Sequence, residues 1–545
     1  MRLRLLSLVF VVGCEALDDG GHTECFGIDD CTGGKICFLA TCVDPGFSIS
    51  EVYAEITPPS DTPWLVQQVP GALDLSVGLQ DISLRNSVVF SGKVLPVGEA
   101  ASGSSLTGLI TVRNPGYIPT RTVMRQASVL ATGFSVQVVP DSQPYVPTFE
   151  PEMSDVRPPY EYPGLLINAN RPGENLLYPA DASLVTITGQ LRYTSSVDSK
   201  VVGAKVVGYA DSACQKTRST VVAATDSNGN FSLIFPERPS VVCVQVRAGT
   251  NNDLVPEAKF TPLAADSNNR LPDLILGVSP PDVPVVLVDA VVTDQSGNPV
   301  PDASVVYDGQ VGVGRFRIAV TTDAGGRVVQ TRLLPGSYAV AVAPSKLQPY
   351  ALTVEDGVTI QTPQQVEMTV GRKVALAGLI FSHKGERVSN AAVKVTLRDN
   401  PASRPDPEVR LPPREYNTRT DGTGAFRLLV DPGGPTCSVD AAGTCTCTNT
   451  ADTCAEYELV VEPATALAFY RELIYIGGVD REHDVQLYRP TLAYGRVRDP
   501  GGVRLANVLL AFFSTELGDP DEPLLVGVAQ TNSDGEFVLP VPTPN

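Results

Sequence analysis

The apolar residues of this chain recur at every second position over short stretches, and no stretch repeats them convincingly at helical spacing. Phe231, Leu233 and Phe235 alternate with Ser232 and Ile234, and Tyr338, Val340 and Val342 repeat the pattern. Alternation of this kind predicts half-buried strands with one face toward a core. Glycine, proline, asparagine or aspartate separates each run from the next. Residues 284–370 hold about seven such runs, as an antiparallel sandwich requires. The expected fold class is all-β, with antiparallel sandwiches in tandem.

The turns reveal the period. Thr225-Asp226-Ser227-Asn228-Gly229-Asn230-Phe231 recurs as Thr322-Asp323-Ala324-Gly325-Gly326-Arg327-Val328. It recurs again as Thr420-Asp421-Gly422-Thr423-Gly424-Ala425-Phe426 and as Thr531-Asn532-Ser533-Asp534-Gly535-Glu536-Phe537. The last apolar residue therefore advances by about 100 positions per copy, the size of one sandwich. Gly133-Phe134 is a weaker fifth copy. Aspartate and asparagine bond back to their local backbone, and glycine accepts positive φ, so each heptapeptide reads as a hairpin turn. A second signature precedes the turns: Val300-Pro301-Asp302-Ala303-Ser304-Val305, matched by Val388-Ser389-Asn390-Ala391-Ala392-Val393 and loosely by Leu505-Ala506-Asn507-Val508.

Gly-x-Val, Val-x-x-Ala-x-Val, Thr-Asp-x-x-Gly-x-Phe and Pro-Gly-x-Tyr follow one another, best kept at 290–342 and 378–460. This order resembles the carboxypeptidase regulatory-like domain, over roughly residues 180–545. The resemblance implies immunoglobulin-like or transthyretin-like sandwiches that are non-catalytic and serve as accessory or stalk modules. In the fourth repeat, the extra length between Phe426 and Tyr457 holds four cysteines and reads as a stapled insertion. The last repeat stops soon after Phe537 without a Pro-Gly-x-Tyr strand, which predicts either a truncated chain or a sandwich with an open, adhesive edge.

At the N-terminus, Met-Arg-Leu-Arg leads into an apolar run from Leu5 to Val12 and then Gly13-Cys14, the form of a secretory signal. Val11-Val12-Gly13-Cys14 resembles the lipobox of bacterial lipoproteins, which implies that Cys14 carries a lipid, a palmitate chain among others, and provides a membrane partner. Setting Cys14 apart makes the remaining cysteines even and local. They are Cys25, Cys31, Cys37 and Cys42; Cys214 and Cys243; and Cys437, Cys445, Cys447 and Cys454. Even local groups suit disulfides in an oxidising compartment. Neither group of four has the Cys-x2-Cys pairs usual for structural zinc. The first group resembles the two-disulfide knots of surface lipoproteins from myxobacteria-like organisms, which implies a rigid spacer above a membrane.

These readings divide the chain into a signal (1–13), a lipidated cysteine with a knot (14–46) and a diverged sandwich (47–139). A proline- and tyrosine-rich linker (140–180) follows, then sandwiches at 181–278, 279–371 and 372–489, and an incomplete one at 490–545. Sandwiches in series imply a stalk, scaffold or adhesive array reaching more than about 100 Å from the cell. The implied location is exported: the outer membrane or cell surface.

The remaining chemistry is sparse. Acidic residues number 60 against 41 basic ones, and this negative field disfavours nucleic acid as a partner. With three histidines, His22, His383 and His483, a histidine-based triad has little material. His383-Lys384-Gly385-Glu386 copies a zinc-peptidase spacing, but it falls where the preceding repeat has a turn. No nucleophile elbow, phosphate loop or His-Glu-x-x-His is present. The reading is therefore non-enzymatic, without a required cofactor. Calcium is the cation that Asp226, Asn228 and Asn230, or Asn532, Asp534 and Glu536, would suit, although a tight turn selects the same residues. A glycan or protein at the cell surface is the expected partner, and the single tryptophan, Trp64, offers little for sugar stacking.

Overall fold

The computed structural model describes residues 36–38, 41–43 and 52–542, apart from 76–78, 100–102, 120, 153–156, 215–219, 221, 250–251, 279–285, 400–413, 441, 450–451, 465–466 and 516–522. Among the described residues the structure is built of strands and turns, with one short 3-10 segment at Asp181–Ser183. Residues 286–370 show the unit. Its first strand, Val286–Asp294, pairs antiparallel with the fourth, Arg327–Leu333, and parallel with the seventh, Gln364–Val370. The facing sheet has four strands. Its second strand, Ser304–Val311, lies between the third, Gly314–Thr321, and the fifth, Gly336–Ala343, which in turn holds the sixth, Thr353–Ile360. Val288, Ala290 and Val292 face Val305, Tyr307 and Val340 in the dry layer between the sheets. Alternation along the sequence thus becomes alternation between core and solvent.

Among the described residues the same arrangement occurs in five sandwiches, with the seventh strand of one of them split into Arg481–Glu482 and Val485–Gln486. Three of the others lie at 88–178, 185–275 and 374–486. The fifth is composite. Its first four strands are Pro490–Arg498, Leu509–Ser514, Leu524–Gln530 and Glu536–Pro542. Its last three are Val52–Thr57, Gln67–Gln68 and Gln80–Ser83 from the opposite end of the chain. Val52 lies opposite Ser514 and Thr57 opposite Leu509 in one antiparallel ladder. Gln80–Ser83 runs parallel to Gly495–Arg498 in the other sheet. Val52, Ala54, Ile56 and Ile82 share one core with Val497, Leu510, Phe512 and Val541.

Three expected boundaries change accordingly. The sandwich read as incomplete at 490–545 is completed by residues 52–83, whose short strands carry no repeat motif. The segment 47–139 is not one sandwich: 52–83 belongs to the composite unit, and 88–138 begins the next. The stretch 140–180 is not a linker. It contributes Val146–Pro151, Tyr160–Glu161 and Arg171–Tyr178 to the 88–178 sandwich. Its aromatics are core: Phe149 and Tyr178 are fully buried, and the Tyr178 hydroxyl donates to the Pro158 carbonyl at 2.7 Å. Proline is tolerated there by geometry. The Pro147 carbonyl accepts from the Tyr162 amide, so its nitrogen points toward the same short outer strand and away from the Gly108–Asn114 ladder.

The repeated heptapeptide is a tight turn but not the hairpin turn expected from its sequence. The strands flanking it, Gly314–Thr321 and Arg327–Leu333, lie in different sheets, so the turn carries the chain across the sandwich. The Thr322 amide donates to the Ala303 carbonyl and pins the end of the third strand, after which the Asp323 turn redirects the chain to the other layer.

Candidate functional site

The repeated threonine and aspartate have fixed tasks. Thr225, Thr322, Thr420 and Thr531 are all buried, and each hydroxyl accepts a backbone amide at 2.9 Å, from Ala204, Ala303, Ala391 and Val508 respectively. In three of them the same hydroxyl donates to the carbonyl three residues before that amide: Val300, Val388 or Leu505. The second sequence signature is therefore the partner of the first. Asp302, Asn390 and Asn507 sit in that segment at positive φ, a conformation that these side chains tolerate better than most.

The oxygens proposed as calcium ligands are engaged in the same turns. Asp226 Oδ1 accepts the amides of Asn228 and Asn230 at 2.7 and 2.8 Å. These bonds, the Asn230 amide first, hold the Asp226 carboxyl below its ordinary range. Asn532 Oδ1 accepts the amides of Asp534 and Glu536, both at 2.9 Å. Glu536 itself is buried, and its Oε1 pairs with Arg496 at 3.1 Å and with Arg504 at 3.8 Å. Each triad is thus brought together around its turn, with its first member serving as the cap.

Cys214 and Cys243 are joined with their Cα atoms 5.6 Å apart, linking the loop after the second strand of the 185–275 sandwich to its fifth strand. Cys437 is joined to Cys447 and Cys445 to Cys454. These two bridges staple the hairpin formed by Cys437–Val439 and Cys445–Cys447, which projects between the fourth and fifth strands of the 374–486 sandwich. The four sulfur atoms lie within 4.8 Å of one another. In the first cysteine group, Ile36–Phe38 pairs with Thr41–Val43 and sets Cys37 opposite Cys42. Cys14, Cys25, Cys31 and His22 lie outside the described residues.

Among the described residues, His383 and His483 sit in separate surroundings. His383 follows the strand Val374–Phe381 and lines an open depression with Lys384, Gln486, Leu487 and Arg489. His483 pairs with Ala377 inside that strand, and its Nε2 meets Glu472 Oε2 at 2.9 Å. Trp64 packs partly against the composite core.

The joints between sandwiches hold polar clusters that the sequence reading missed. Between the 286–370 and 374–486 units, the buried Asp431 carboxylate accepts the Leu352 amide at 2.8 Å and the Tyr416 hydroxyl at 2.5 Å. Arg414 pairs with it at 3.3 Å and donates to the Pro344 carbonyl at 2.8 Å. Lys373 Nζ donates to the carbonyls of Lys346 and Gln348 and lies 5.2 Å from the Tyr416 ring centre. Burial pushes the Lys373 amine down to about 8, against the opposing pull of Asp431. The signal in the sequence was weak: single charged residues beside joints, outside any repeat motif.

No family model matches the sequence, and no curated protein matches it. Among solved structures, a streptococcal ancillary pilin is similar with a TM-score of 0.22 and 13% identity, over 56% of this chain and 98% of the pilin. The minor pilin GBS52 of Streptococcus agalactiae scores 0.22 at 9% identity, over 37% and 95%. The pilus adhesin SpaC of Lactobacillus rhamnosus scores 0.16 at 10% identity, over 72% and 56%. Overlaps this low transfer no role to the present chain.

Proposed function

We propose that this chain is a non-catalytic surface scaffold, exported and held at a membrane by a lipid on Cys14. One observation carries the reading: the polar groups of the repeated turns and of a joint between sandwiches are spent on building the array. Threonine hydroxyls clasp strands, aspartates cap turns, and Asp431, Arg414 and Lys373 fasten a joint. A scaffold role is what such an allocation serves. The composite sandwich modifies the expected stalk, because residues 52 and 514 share a ladder and the array closes on itself within one chain. What it would present outward is the stapled hairpin and the exposed residues Leu473, Tyr475 and Val479 nearby.

The test has two arms. Cells expressing the natural chain and Cys14→Ala are labelled with palmitate and fractionated; label and membrane association lost only in the variant support the anchor. The purified oxidised chain is then applied to a polysaccharide and cell-wall array with calcium and with chelator. Specific capture of one glycan, abolished by chelator, would replace the scaffold reading with a calcium-dependent lectin. Turnover of any surface polymer would overturn the non-catalytic reading outright.

A further inference from the structure

The composite sandwich is joined to its neighbours as every other sandwich is. In each unit a seventh strand leads to the first strand of the next through a joint of three to ten residues: 179–184, 276–285 and 371–373. The joints on either side of the composite unit, 84–87 and 487–489, are of the same kind. Residues 52–83 are thus strands five to seven of a standard unit, and 490–542 are strands one to four. Copies placed head to tail would form an unbroken tandem series in which every sandwich is complete.

The two halves are built as separate presenting units. The leading half is clamped to the 88–178 sandwich by its own side chains. Gln68 Oε1 accepts the amides of Tyr117 and Ile118 at 2.7 and 3.0 Å. Arg85 donates to the carbonyls of Pro140 and Gln68 at 2.6 and 3.0 Å. The trailing half keeps its own antiparallel pairs, between Pro490–Arg498 and Glu536–Pro542 and between Leu509–Ser514 and Leu524–Gln530. Apart, the halves would bare Val52, Ala54, Ile56 and Leu510, Phe512, Val541, so each needs a complement. The two surfaces differ from each other, which makes the contact heterologous and able to propagate. The same ladder forms whether the complement comes from the same chain or from another, and protein concentration weighs the two closures.

We propose that this seam is an assembly joint, where residues 52–83 of one copy complete residues 490–542 of a second copy and link chains head to tail. The proposal does not depend on lipid anchoring. Glu55 and Ala511 are direct partners across the seam, at a separation that a disulfide spans. Full-length Glu55→Cys and Ala511→Cys chains are prepared separately, mixed, held under mild oxidation and digested. A disulfide between positions 55 and 511 in the mixture can form only between copies; its appearance, as a linked dimer on a non-reducing gel, is the expected result. Linkage confined to single chains of the double variant, with none in the mixture, would overturn the proposal. As a check free of substitutions, heavy-isotope and natural chains are mixed at high concentration and weighed by native mass spectrometry. Oligomers of mixed mass support the joint, and monomers alone at every concentration refute it.

Discussion

The Thr322 hydroxyl donates to the Val300 carbonyl at 2.8 Å while accepting the Ala303 amide at 2.9 Å, so one buried oxygen satisfies two backbone groups. Thr322→Val keeps the shape and removes both bonds. It should cost about 1–3 kcal/mol through buried unpaired backbone groups, read as a lower urea midpoint at unchanged slope. Thr322→Ser should recover most of that loss, which a simple packing effect would not allow.

The turn glycines should separate by their surroundings. Gly326 has φ +71°, and a Cβ there would meet the Val292 carbonyl oxygen at 2.5 Å. Gly297 has φ +82° with nothing within 4 Å. Gly297→Ala should cost about 1 kcal/mol for the backbone conformation alone, whereas Gly326→Ala adds a steric clash and should reach 2 kcal/mol or more, order of magnitude. Equal melting temperatures for the two variants would contradict this account.

Two buried tyrosines in one core should behave oppositely. Tyr307 and Tyr338 rings meet edge to face at 6.5 Å. The Tyr338 hydroxyl donates to the Leu334 carbonyl at 2.7 Å, whereas the Tyr307 hydroxyl has no partner among the described residues. Tyr338→Phe should cost about 1 kcal/mol and Tyr307→Phe should be neutral or stabilising at pH 7. Burial, aided by Asp289, pushes the Tyr307 phenol up to about 12. A raised pKa holds the proton in the fold, so this stability is complete below about 10 and is lost as pH rises toward 12. Alkaline unfolding of Tyr307→Phe should therefore move to higher pH.

At the acid end the sign reverses. The Asp421 carboxyl is held below its ordinary range by the Thr423 side chain, then by the amides of Thr423 and Ala425. Its contribution is present above the unfolded value near 3.8 and disappears as pH falls through the lowered one. Asp421→Asn should flatten the acid limb of the stability curve; an unchanged limb would show that the cap does not titrate with folding.

The disulfides should divide into global and local. Cys214–Cys243 closes a separation of 29 residues, so replacing both with serine should cost about 3–4 kcal/mol. The bridges at 437–447 and 445–454 close separations of 10 and 9. Their loss should loosen the hairpin to amide exchange while leaving the main melting transition nearly in place.

Much of this architecture was legible because the turn carries chemistry specific to its shape: Gly229, Gly326, Gly424 and Gly535 all sit at φ between +70° and +77°. The alternating runs likewise place Phe231, Val340 and Phe537 in cores. What escaped was long-range or local in a misleading way. Strands at 52–57, 67–68 and 80–83 are too short to announce their partners, and nothing in Val52 points to Ser514. The prolines around Tyr145–Tyr162 suggest an extended spacer until Pro147 is seen inside a strand with its nitrogen turned outward and the Pro158 carbonyl is seen bonded to the buried Tyr178 hydroxyl. Asp431 and Lys373 look like surface charges because Leu352, which donates to Asp431, and Lys346 and Gln348, which accept from Lys373, come from the preceding sandwich.

With residues 52 and 542 in one sandwich, tension applied between those two points bypasses the four inner sandwiches. The load falls first on the Val52–Thr57 and Leu509–Ser514 ladder and on the parallel pairing of Gln80–Ser83. Until that seam parts, the chain yields almost no length. Once it parts, about 400 residues of folded array pay out between the two grips, while every inner sandwich remains intact and able to snap the seam shut when the pull relaxes.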